Sequence, residues 1–142
     1  MDIRKLTDTF FVSPQIGAED LPGIAELGIT QIICNRPDGE VPPSHQASAI
    51  RAAAEAAGIA FAELPLTHMT MTPENVNQQV LIAEAAEGKV LAYCASGTRS
   101  TVAWALGSAG AVPVDALIGA ARDAGYDLAN LRPTLEAAAG AR

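Results

Sequence analysis

The stretch Lys89-Val-Leu-Ala-Tyr93-Cys94-Ala-Ser-Gly97-Thr-Arg99-Ser100 passes from apolar residues into a small polar loop, then into the helix-compatible Thr101-Val-Ala-Trp-Ala-Leu106. Gly88 on one side and the loop on the other bound a short apolar run, which reads as a buried strand over 89–93. A strand that runs through a tight loop straight into a helix is the repeating unit of a parallel sheet.

The same unit recurs on both sides. Apolar runs predict strands over 9–12, 30–34 and 59–64, and helical periodicity predicts helices over 17–27, 44–57 and 73–87, closed by Gly28, Gly58 and Gly88. Thr72 followed by Pro73 forms an N-cap and first turn. Residues 35–43 are dense in Pro, Asp and Gly and read as loop. From Arg99 onward the pattern is helical, broken at 110–113 and 125–127. The predicted fold class is α/β, one domain over residues 1–142 with a mostly parallel central sheet flanked by helices on both faces. Sites in such sheets lie beyond the carboxyl ends of the strands. Cys34-Asn35-Arg36, Thr67-His68 and Cys94 therefore share one rim.

Composition narrows the function. Of 142 residues, 49% are hydrophobic and only 4% aromatic, so the core is aliphatic. A formal charge of −7 argues against a nucleic-acid binder, which needs clustered Lys and Arg. The sequence shows no apolar run of roughly 18–20 residues, and Met1-Asp-Ile-Arg-Lys-Leu-Thr-Asp8 does not resemble a signal peptide; no membrane association and a cytoplasmic location are the expectation. The two cysteines, Cys34 and Cys94, end different apolar runs. That predicts neither a disulfide framework nor a metal site, and no cofactor is expected. A homo-oligomer is compatible with the sequence.

Chemistry concentrates at Cys94. A cysteine leading into a helix N-terminus meets unpaired amides and partial positive charge, which favour the thiolate and bind anions. Gly97 lets the backbone of Ala95, Ser96, Gly97 and Thr98 turn its amides inward as a nest. Arg99 can clamp two oxygens of an anion, and Ser100 can hydrogen-bond the thiolate. Cys94, Arg99 and Ser100 are thus the predicted catalytic residues, with Ala95, Ser96, Gly97, Thr98, Arg36, Asn35 and His68 as anion or substrate contacts. Cys34, by contrast, reads as a buried strand residue and Trp104 as core.

Cys94-Ala-Ser-Gly-Thr-Arg99-Ser100, taken with Asn35-Arg-Pro-Asp-Gly-Glu40 and Ala124-Gly-Tyr-Asp-Leu128, resembles the bacterial phosphatase-like domain of the beta-lactamase-hydrolase-like proteins, sometimes labelled sulfur transferase. The resemblance covers almost the whole chain. It implies a fold similar to dual-specificity protein phosphatases, with Cys94 as nucleophile and Arg99 as anion clamp. Ala95 stands where relatives are expected to carry an arginine, which lowers the charge of the cradle.

Two features bear on which anion is handled. Protein tyrosine phosphatases carry Cys-x5-Arg, whereas four residues separate Cys94 from Arg99, as in single-domain rhodaneses. The loop Glu63-Leu-Pro-Leu-Thr-His-Met-Thr-Met71 contains no Asp to protonate a leaving alkoxide, although Asp38 or Glu40 could substitute. On these grounds sulfur transfer through a Cys94 persulfide ranks first, phosphate-ester hydrolysis through a Cys94 phosphocysteine second, and a non-catalytic anion or redox sensor third. The substrate is a small sulfur-containing or phosphorylated anion.

Overall fold

The computed structural model describes residues 1–141. At its centre is the strand that leads into Cys94, β5 (Lys89–Tyr93), with β1 (Arg4–Lys5), β2 (Phe10–Ser13), β3 (Ile29–Cys34) and β4 (Ala60–Glu63) around it in the order β1-β2-β5-β3-β4. All neighbours run parallel except β1 with β2. Four residues of β5, Val90 to Tyr93, are buried, as a strand covered on both faces requires.

Among the described residues six α-helices cover the sheet: α1 (Leu21–Glu26), α2 (Ala47–Ala56), α3 (Pro73–Ala85), α4 (Thr98–Ser108), α5 (Val114–Asp123) and α6 (Arg132–Gly140). Strand alternation splits the core between the faces. Ile32, Cys34, Leu91 and Tyr93 pack with Leu21 and Ile24 of α1 and Ile50 of α2. Ile33, Val90 and Ala92 pack with Trp104 of α4, Leu117 of α5 and Leu135 of α6. Cys34 and Trp104 are core residues, as expected.

Several predicted boundaries shift. The α2 helix starts at Ala47 rather than 44 because Pro43–His45 forms a separate 3-10 turn and Gln46 stays extended. The α3 helix stops at Ala85, two residues short of the expected end, with Ala86 already extended. Thr72 caps it as predicted, its hydroxyl accepting the Asn75 amide at 3.2 Å. The edge strand β1 has no sequence signature, being two polar residues long, and it exists only through its pairing with Phe11 and Val12.

Register, more than any single contact, builds the rim. Ser13 pairs with Tyr93, Tyr93 with Cys34, and Cys34 with Glu63, so the parallel strands end level with one another. Their loops all leave from one edge. Among the described residues, no helix is long and apolar enough to cross a membrane.

Candidate active site

Cys94 continues β5 by one step, its amide donating to the Ser13 carbonyl at 3.4 Å. The chain then turns through Ala95 and Ser96 to Gly97, whose φ of 97° only glycine adopts without strain, and α4 begins at Thr98. The Gly97 amide donates to Cys94 Sγ at 3.1 Å. Cys94 itself is 1% exposed at the floor of the loop. Ala95, Ser96 and Thr98 are exposed at its mouth, where Ser96 Oγ donates to Thr98 Oγ1 at 3.0 Å.

Three loop carbonyls are engaged outside the cradle. Ala95 accepts the Gln15 amide at 3.3 Å, Ser96 accepts the Tyr126 hydroxyl at 2.9 Å, and Gly97 accepts the Thr101 hydroxyl at 2.7 Å. In a trans peptide the following N–H points the opposite way, so the amides of Ser96 and Gly97 turn away from these partners, while the Thr98 amide donates to Ser96 Oγ at 3.3 Å. Of the loop amides, that of Gly97 is the one seated on the sulfur.

Arg99 leaves the first turn of α4 and reaches across to the β3 and β4 loops. Its Nη1 donates to the Leu66 carbonyl and to Glu40 Oε2, both at 2.9 Å, and its Nη2 donates to Glu40 Oε1 at 2.7 Å. The hydrogen bonds from Arg99 hold the Glu40 carboxyl below the usual carboxylate range, and Glu40 in turn raises Arg99 further. Arg36 braces the same carboxylate: Nε to Glu40 Oε1, Nη2 to the Glu40 carbonyl and Nη1 to Gln15 Oε1, each at 3.3 Å. Three of the five Arg36 N–H donors are thus spent on Glu40 and Gln15, so Arg36 braces the rim beside Arg99.

Both carboxylates nominated as a substitute acid have partners within the surrounding loops. Glu40 is ionised by its two arginines. Asp38 Oδ1 accepts the Ala47 amide at 2.8 Å and so caps the start of α2. His68 lies exposed on the loop after β4 and, among the described residues, hydrogen-bonds to no member of the cradle.

Two further assignments change. Ser100 is buried, and its hydroxyl donates to Asn35 Oδ1 at 2.8 Å rather than to Cys94. Asn35 is 0% exposed, with Nδ2 donating to the Leu64 carbonyl and to Gln79 Oε1, both at 2.9 Å. It does not face an anion; it ties the β3 end, the β4 loop, α3 and α4 into one polar knot behind the cradle. Gln79, Gln15 and Tyr126 were missed by residue-by-residue reading. Gln79 had a signal, a polar residue three positions after buried Val76 on the inward stripe of α3. Among the described residues no cluster of three or more His, Cys, Asp or Glu side chains could hold a metal.

Residues 2–111 match the profile described as beta-lactamase hydrolase-like protein, phosphatase-like domain. The chain belongs to this family. A beta-lactamase hydrolase-like protein from Agrobacterium fabrum is 33% identical over 110 residues, which is 77% of this chain. The matched region spans only 25% of that protein, so the phosphatase-like domain is a quarter of its length. Among solved structures, a Neisseria meningitidis protein with a provisional phosphatase designation superposes with a TM-score of 0.87 at 38% identity, covering 97% of this chain and 99% of that one. PTPMT1 crystallised in complex with PI(5)P gives a TM-score of 0.75 at 15% identity, covering 99% and 96%. At that identity the likeness is one of fold. The predicted phosphatase-like fold and the family resemblance are thereby met. The family description and the Neisseria meningitidis structure both carry a phosphatase name and neither a sulfur-transfer one, so the ranking that put sulfur transfer first gives way to its alternative.

Proposed function

We propose that this phosphatase-like domain, residues 1–142 acting as one unit, hydrolyses a phosphorylated anionic substrate through a Cys94 phosphocysteine. The carrying observation is the Gly97 amide on Cys94 Sγ at 3.1 Å, in a loop where the carbonyls of Ala95, Ser96 and Gly97 bond outward. A sulfur so placed attacks phosphorus in line. The S–P bond forms as the ester O–P bond breaks, while the loop amides and Arg99 carry the charge of the phosphoryl oxygens. Water then attacks the phosphocysteine, releasing phosphate and restoring the thiolate. PI(5)P in PTPMT1, on the same fold, supports a phosphorylated ligand class. A reducing, cytoplasmic setting would keep Cys94 as the free thiol this chemistry needs.

With Asp38 and Glu40 engaged elsewhere, the leaving oxygen takes its proton from solvent. Substrates with acidic leaving groups, aryl phosphates above all, should turn over much faster than alkyl phosphates, since a placed acid is worth about 10²–10⁴-fold. Steady-state phosphate release from both classes tests this. Aryl phosphate turnover that Cys94→Ser abolishes supports the proposal; no turnover of any ester, or turnover retained in Cys94→Ser, would sink it. One observation keeps sulfur transfer as a second reading, the four-residue spacing from Cys94 to Arg99, which forms a smaller loop than Cys-x5-Arg. Its sign would be a persulfide on Cys94 after incubation with thiosulfate.

A further inference from the structure

Tyr126 comes from the segment between α5 and α6, far from Cys94 in sequence, and is 5% exposed. Its hydroxyl donates to the Ser96 carbonyl at 2.9 Å. That carbonyl and the Gly97 N–H are the two ends of one trans peptide, and the N–H end lands on Cys94 Sγ at 3.1 Å. Holding one end outward therefore fixes the other end inward. The flanking peptides are held by the Gln15 amide and by Thr101, which lies within the same helix as the loop's end.

The Ser96–Gly97 peptide is also the one most able to turn over. Gly97 has access to both halves of φ space, so rotating this peptide by half a turn meets little steric resistance. The flipped state would aim a carbonyl oxygen at the sulfur and remove an amide from the nest. We propose that Tyr126 is a positioning residue whose hydroxyl locks the Ser96–Gly97 peptide with its N–H toward Cys94.

The surroundings suit that task. The ring lies so close to Gly97 that a Cβ there would sit 2.8 Å from Tyr126 Cζ and would collide with the hydroxyl, which leaves the phenol little freedom to swing away. The Arg4 guanidinium stands 4.9 Å from the ring centroid and donates to the Ala124 carbonyl at 3.2 Å, anchoring the segment from β1. Burial pushes the Tyr126 hydroxyl above its ordinary range, which keeps it protonated and donating.

This inference rests on the reading of the loop as an anion cradle at Cys94. The test is Tyr126→Phe, which keeps the ring and removes only the hydroxyl, measured by vanadate affinity, by the rate of iodoacetamide modification of Cys94, and by kcat and KM on an aryl phosphate. Loss of one oxyanion donor costs about 10²–10³-fold in kcat; a donor left unpinned rather than deleted should weaken vanadate binding and kcat by roughly tenfold, with KM moving less. Ile24→Val, in the core on the opposite sheet face, should lower the melting temperature without changing vanadate affinity, which separates positioning from stability. Arg4→Met, which loosens the Tyr126 segment and keeps the hydroxyl, should give a smaller loss in the same direction and serves if Tyr126→Phe does not fold. Wild-type vanadate affinity and kcat in Tyr126→Phe, or in Arg4→Met where it stands in, would overturn the role of Tyr126 alone. A wild type that binds no vanadate would overturn the cradle reading, and this inference with it.

Discussion

Replacing Asn35 by Ala attacks the polar knot that holds the cradle from behind. The substitution leaves the backbone of residue 35 paired with Tyr93 and Leu66, both at 2.8 Å, but deprives three partners, the Leu64 carbonyl, Gln79 Oε1 and the Ser100 hydroxyl. Unmet buried partners cost about 1–2 kcal/mol each, and the small void adds to this, so the loss should be near 4 kcal/mol. Against a total of roughly 5–15 kcal/mol that is a large fraction. For a chain of this size it corresponds to a fall in Tm of about 12–16 °C. Thermal unfolding followed by circular dichroism reads it directly. The Ser100→Ala variant orphans only Asn35 Oδ1 and should lose about 1–2 kcal/mol, and the double variant should lose less than the sum, because the same bond is removed in each. A drop of less than about 4 °C in Asn35→Ala, or strict additivity in the double variant, would refute the claim that these residues form one coupled hydrogen-bonded network.

Other outcomes follow from the charges around the cradle. Because Arg99 holds the Glu40 carboxyl below its ordinary range, the unfolded chain takes up that proton at higher pH than the folded one. The resulting stabilisation is complete above about pH 5 and fades as pH falls through the lowered folded value; Glu40→Gln should flatten this acid limb of the stability curve, and an unchanged limb would remove the ion pair from the account. Burial raises the Cys34 thiol, so iodoacetamide at neutral pH should label Cys94 first, and equal labelling of both in the folded protein would contradict the site. Arg99→Lys should weaken vanadate protection of Cys94 by about tenfold or more, since an ammonium cannot bond Leu66, Glu40 and an oxyanion in one plane; protection equal to wild type would argue against Arg99 as clamp.

What the sequence revealed and what it hid divide along the range of the interactions. The central strand was legible to the residue because a parallel strand buried on both faces has to be apolar throughout, and Val90 to Tyr93 are. The Thr72 cap was legible because its partner, Asn75, is three residues away. The β1 strand was invisible because pairing alone creates it. Residue types at the site were also readable, but their partners were not. Arg99 meets Glu40 across 59 positions and Ser100 meets Asn35 across 65, and no local pattern reports such pairs. For that reason Ser100 and Asn35 were read as facing the anion, whereas their hydrogen bonds join them to each other. The spacing of Cys94 and Arg99 counts residues in the same local way, whereas the carbonyls of Ala95, Ser96 and Gly97 are held by Gln15, Tyr126 and Thr101 outside the motif.

The most direct test of a phosphocysteine mechanism is the intact mass of the protein, quenched in acid within the first turnover of an aryl phosphate. The account predicts a species heavier by one phosphoryl group, with the adduct located on Cys94 by peptide mapping and absent from Cys94→Ser. An unmodified wild type under those conditions, together with a single sulfur added to Cys94 by thiosulfate and removed by cyanide, would contradict it and return the site to sulfur transfer.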